Sequence, residues 1–216
     1  MAVPRPPSPP TRRSCLQGGL ALAVAALGQG GTAIAAEAGV VAWLRGTATA
    51  SSGGSTRILH VGAVVQEGDE LRTLEHARIS LQLAGGATLA IGEASRLTVT
   101  RQTASPTGGG SVVLDLLDGI VRAVLGPARP DIFEVRGRAA VAAARATDFI
   151  VESTSTTTAV FTAAGTVAVT AVDAAGEVVL TAGQGVDATL GEPLGPVKEW
   201  GAGRIAEFEA RTAVGR

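Results

Sequence analysis

The chain predicts an all-β domain closed by one short C-terminal helix. Three observations carry this: apolar and polar residues alternate with period two, glycine-bearing turns recur at short spacing, and the apolar content is aliphatic, with no Tyr and only 3% aromatics. A core of Val, Leu, Ile and Ala suits many short strands. The expected architecture is a single domain of short antiparallel strands and hairpins over residues 36–190, as a β-sandwich, a roll or a solenoid-like arrangement. A tail over 191–216 carries the helix.

The first element is a leader over residues 1–35. Thr11-Arg12-Arg13-Ser14-Cys15-Leu16-Gln17 precedes a weakly apolar run, Leu20 to Leu27, and Ala33-Ile34-Ala35 supplies small side chains for a cleavage site. These are the basic, apolar and cleavage regions of a bacterial signal peptide, with the cut expected between Ala35 and Ala36 and a competing site after Ala38. The paired arginines point to the twin-arginine route, from whose pattern Cys15 and Gln17 depart. An uncut anchor is disfavoured because Gly28-Gln29-Gly30-Gly31 ends the apolar run, whereas a span needs ~20 apolar residues. Cys15, the sole cysteine, lies before that run, where a lipoprotein would have it after. The expected location is periplasmic or secreted, with no stable membrane insertion after cleavage.

Loss of the leader removes Arg5, Arg12 and Arg13 and no acid, so Lys+Arg falls from 18 to 15 against 19 Asp+Glu, a net charge of −4. That balance argues against nucleic acid and makes anionic polymers poor partners. About 180 residues remain, enough for a core without staples, and with no cysteine left packing alone must hold it.

Ile79, Leu81 and Leu83 alternate with Ser80 and Gln82, Gly85-Gly86 turns the chain, and Leu89 and Ile91 return: a hairpin with one buried face. Asp118-Gly119 is expected to turn a second hairpin between Val112–Leu117 and Ile120–Leu125. Both flanks are apolar on both faces, so these strands should be central. A third pair, Thr166–Val172 and Glu177–Thr181, is joined through Asp173-Ala174-Ala175-Gly176. Thr103–Ser111, with Pro106 and Gly108-Gly109-Gly110, reads as a flexible loop. It is no phosphate cradle, since neither Gly-Lys-Ser nor Gly-Lys-Thr follows. Pro193 and Pro196 end the strands; Arg204–Val214 then places Ile205, Phe208 and Thr212 on one helical face, with Glu207 and Arg211 four apart. A sheet-capping role is favoured over a partner-binding one.

The strand motifs resemble the FecR-domain family. The resemblance begins at Gly39-Val40-Val41 and Gly46 and runs through Val61-Gly62, Gly68-Asp69-Glu70-Leu71-Arg72-Thr73 and Ser80-Leu81. It continues through Leu89-Ala90-Ile91-Gly92, Ser95 and Leu117-Asp118-Gly119-Ile120-Val121. The family's Arg-Gly-Thr-x-Phe segment appears as Arg145-Ala146-Thr147-Asp148-Phe149, and its closing Ala-Gly-Gln turn as Ala182-Gly183-Gln184. Ala146 stands where the family has glycine, and Gly85-Gly86 where it usually has Asp-Gly. Physically these residues read as fold-specifying: Gly68 takes positive φ while the Asp69 carboxylate accepts from nearby amides, Thr73 bonds locally, Arg145 and Asp148 pair, and Phe149 fills the core.

The resemblance implies an envelope role. The family's named members are sigma-factor regulators with a cytoplasmic segment, one transmembrane helix and a periplasmic domain that listens to an outer-membrane receptor. This chain looks like only the periplasmic part, exported alone. No enzyme constellation is visible: His60 and His76 are isolated, no Gly-x-Ser-x-Gly is present, and Glu67, Asp69 and Glu70 read as a solvated turn that would bind a cation only weakly. The expectation is a non-catalytic binding module without catalytic, metal or cofactor residues, its partner an envelope protein or neutral glycan. The alternatives are a signalling component acting with a receptor or sigma-factor regulator, and a carbohydrate-active enzyme whose two carboxylates meet only in space.

Overall fold

The alternation of apolar and polar residues does build strands almost throughout. The computed structural model describes residues 36–83, 86–104, 110–126 and 130–215, which lie in one compact unit. In chain order the elements are β1 (Glu37–Arg45), β2 (Ala48–Ser52), β3 (Ser55–Ile58), β4 (Val64–Gln66), β5 (Glu70–Thr73), β6 (Arg78–Leu83), β7 (Ala87–Ile91) and β8 (Arg96–Ala104). There follow β9 (Gly110–Leu125), β10 (Ile132–Arg136), β11 (Ala140–Ser153), β12 (Thr157–Ala171), β13 (Glu177–Thr181), β14 (Gln184–Thr189), β15 (Lys198–Glu199) and helix α1 (Ala202–Thr212). The strands form one sheet ordered β15-β14-β12-β11-β10-β9-β7-β6-β1-β4, and a branch β3-β2-β5-β8 joins it at β9.

β9 organises this sheet. Its first half pairs with β8 on one edge and, in parallel, with β10 on the other; its second half pairs with β7 and β11. The expected turn at Asp118-Gly119 is therefore corrected, because one 16-residue strand passes straight through it. Gly119 does take positive φ (100°), but it serves a kink where pairing passes from β8 to β7, beside a bulge at Leu117. The all-β class with one short C-terminal helix holds; within it β9, β11 and β12 run for 16, 14 and 15 residues, and the β9–β10 pair is parallel.

The β6–β7 hairpin has Ile79 opposite Ile91 and Leu81 opposite Leu89, with strands ending at Leu83 and resuming at Ala87. Gly85 lies outside the described residues. The β12–β13 pair has Thr166 opposite Thr181 and Thr170 opposite Glu177. Strand pairing extends into the expected loop, with Thr103 opposite Ser111 and Ala104 opposite Gly110; residues 105–109 lie outside the description.

Two cores follow from the alternation. Inward residues of β1, β2 and β4 through β14, among them Leu71, Ile79, Leu97, Leu114, Val121 and Phe149, form one aliphatic cluster. The residues between them face the other way: Ile120, Ile150, Ala159 and Phe161 lie under Trp200 and under Phe208 of α1. This second layer accounts for Ile120 on the outer face of β9, a face on which Arg122 is paired with Asp148 and Val124 is exposed. Trp200 stacks on Phe161 (5.2 Å, 20°) and meets Phe208 edge-on (5.0 Å, 81°). Gly185 admits the indole, because any Cβ there would collide with it. Burying Phe208 contributes about 2–3 kcal/mol to holding the helix. Arg204 and Arg211 tie the helix to Asp187 and Glu152, at 2.9 Å and 2.6 Å. No helix among the described residues is long and apolar enough to cross a membrane.

Candidate functional site

The motif residues fall in separate places. Gly68 takes φ 87°, and Asp69 accepts from the Gln66 amide at 2.7 Å. Asp69 is fully buried and also held by both outer nitrogens of Arg57. That corrects the reading of a solvated acidic turn: Asp69 is a buried anchor joining β3 to β5, while Glu67 accepts from the Gln102 amide at 2.9 Å. Thr73 does not bond locally either. Its hydroxyl donates to the Gly92 carbonyl at 2.6 Å and accepts from the Ser95 amide at 3.0 Å, across some twenty residues.

The expected Arg145–Asp148 pair falls outside the described residues, and the described partner of Asp148 lies on β9. Asp148 receives two hydrogen bonds from Arg122 on β9, at 2.8 and 2.6 Å, which hold that guanidinium's pKa above its ordinary value; the Arg145 side chain lies outside the description. Phe149 is buried edge-on against Phe133, with centroids 6.0 Å apart. The Thr147 hydroxyl is buried with no hydrogen-bond partner among the described residues. Gly183 (φ 86°) turns β13 into β14, and Gln184 Oε1 accepts from the Thr181 amide and hydroxyl, each at 3.0 Å. Ala36 is exposed at the start of the described chain; Ala35 lies outside it.

Thr73, Asp118 and Gly119 do come together, around Ser95. The Ser95 hydroxyl accepts from the Ile120 amide at 3.1 Å, and a Cβ on Gly119 would overlap the Ser95 side chain. Above this buried network lie two adjoining cavities of about 680 and 440 Å³ that share Glu75, His76, Ala94 and Asp118. Arg72 and Arg96 line one end; Glu152 and Arg211 line the other.

The groove floor is strained. His76 (φ 60°) and Ala94 (φ 50°) both hold the left-handed conformation, which costs a non-glycine residue roughly 1–2 kcal/mol. Backbone bonds converging on Leu74 fix them: the amides of Ala77 and Ala94 donate to its carbonyl at 3.1 and 3.2 Å. Such strain gathers at ligand clamps. Glu93 accepts from the His76 amide at 3.2 Å and sits 3.6 Å from its ring, so His76 is not isolated as the sequence suggested. His60 is exposed at a turn.

The charges of the groove are uneven. Arg72 on β5 stands directly opposite Arg96 on β8, and Arg96 stands opposite Asp118 on β9. Among the described residues neither arginine makes an ion pair, and Arg96 Nε is buried without a hydrogen-bond partner. Glu152 is paired with Arg211, whereas Glu75 and Asp118 carry no ion pair. No group of three or more His, Cys, Asp or Glu that could hold a metal occurs among the described residues. Sequence reading passed over Arg96 because its significance depends on strand register, although its outward place between inward Ser95 and Leu97 was visible.

Most of the groove wall, Arg211 excepted, lies in a stretch that matches a known family. Residues 69–168, from the residue before β5 through most of β12, match the family model described as FecR protein. Two crystal structures from Parabacteroides distasonis, provisionally described as an anti-sigma factor, are similar to the chain at 15% identity. Both matches cover 63% of this chain and 62% of theirs, with TM-scores of 0.50 and 0.49. The likeness concerns the fold, and the chain spans about 62% of the length of those structures. No curated protein matches it.

Proposed function

We propose that the chain is an exported regulatory component of the bacterial cell envelope that signals through contact with a protein partner. The observation that carries this reading is the FecR match, whose span supplies most of the strained, charged groove. The match supports the alternative of a receptor- or sigma-regulator-linked component over the wider reading of a binding module. Affinity capture of the mature protein from envelope extracts tests it. One envelope protein should be retained by the wild type and lost on Arg72→Ala/Arg96→Ala; retention unchanged by that variant would remove the groove from the function.

One observation favours a second reading. Glu75 and Asp118 are carboxylates without ion-pair partners in one groove, the minimum a glycosidase needs. Release of sugar from an envelope polysaccharide, abolished by Glu75→Gln or Asp118→Asn, would establish it over the regulatory one.

A further inference from the structure

We infer that the groove takes an extended peptide segment of the partner that carries an acidic residue close to a basic one, the acidic carboxylate lying between Arg72 and Arg96. This rests on the contact reading above. Like charges directly opposite on neighbouring strands repel, and a carboxylate placed between them relieves the repulsion. Arg57, Arg122, Arg204 and Arg211 each have one; among the described residues Arg72 and Arg96 do not. Arg45 and Arg78 also face each other, on β1 and β6, but line neither cavity.

Arg96 adds a second mark. Its buried Nε is a donor without an acceptor, a cost that a bound carboxylate accepting from the guanidinium edge would cancel. The third mark is the floor, where His76 and Ala94 are held in strained conformations. The remaining charges select among anionic ligands. Glu75 and Asp118 follow the arginines along the groove, so a polyanion would be repelled where a basic side chain would be welcomed. An inorganic oxyanion would use the arginine end alone and leave the rest of the groove unfilled.

Selection of random octapeptides on the purified protein tests this, followed by fluorescence anisotropy with the selected peptides and with inorganic phosphate as competitor. Selected peptides should carry Asp or Glu within a few residues of Lys or Arg. Arg72→Ala and Arg96→Ala should each weaken them by roughly tenfold. Arg96→Lys, which keeps the charge but not the fork, should weaken them too, and Glu75→Gln should relax the demand for the basic residue. Melting curves identify any variant that fails to fold, for which Arg96→Lys then stands in. Selection of peptides without acids, affinity unchanged in the folded arginine variants, or phosphate bound as tightly as the peptides would each overturn the inference. If a protein is still captured from envelope extracts when the peptides fail, this site falls and the contact reading stands.

Discussion

Phe149 shows what a single residue can carry. It belongs to the segment that most resembles the family motif, and its ring packs edge-on against Phe133 in a core otherwise made of aliphatics. Phe149→Ala should cost about 3–5 kcal/mol in denaturant unfolding, the range for emptying a large aromatic site. Its neighbour Asp148 should cost less. Asp148 and Arg122 are both partly exposed, and loss of their two hydrogen bonds should remove roughly 1–2 kcal/mol. Arg57→Ala should exceed that, at about 2–3 kcal/mol, because it leaves the buried Asp69 carboxylate with the Gln66 amide as its remaining partner. The pKa of Arg57 is raised, chiefly by its hydrogen bonds to Asp69, so its contribution is complete below the ordinary arginine range and is lost only in strong alkali. Arg57 should therefore leave stability flat between pH 7 and 10, a span that urea titrations at several pH values can cover. The Arg57–Asp69 pair was not legible in the sequence because its members are brought together by the pairing of β2 with both β3 and β5.

At the scale of elements, legibility followed the range of the interaction. The hairpin around Gly86 and the helix carrying Ile205 and Phe208 are encoded within a dozen residues, and period and turn chemistry place them. Asp118-Gly119 carries the same local signal as a hairpin turn, yet β8 and β7 on one edge and β10 and β11 on the other keep the strand running. Tertiary pairing overrode the dipeptide. Gly119→Ala tests this account: the positive φ and the contact with Ser95 should together cost about 2–3 kcal/mol. Were Gly119 in an open turn, a side chain would face no such neighbour. The groove was the least legible part, since Arg72, Arg96 and Asp118 come from three strands and share a wall only through register.

For the molecule as a whole, the decisive question is where it works. The leader sequence predicts passage to the periplasm or beyond with cleavage between Ala35 and Ala36, which would leave every described strand and the helix in the mature chain. Ala33 and Ala35 occupy the two positions at which a signal peptidase accepts only small side chains, so the N-terminus of the exported protein, read by mass spectrometry, should be Ala36. An exported protein retaining Met1 or Ala2 would contradict this. Replacing Arg12 and Arg13 by Lys separates the routes: loss of export identifies the twin-arginine pathway, and continued secretion assigns the general one. Twin-arginine carriers move folded proteins, which is compatible with a core formed without cysteine. If the double lysine variant accumulates in the cytoplasm, it should do so folded, with a cooperative unfolding transition like that of the exported protein.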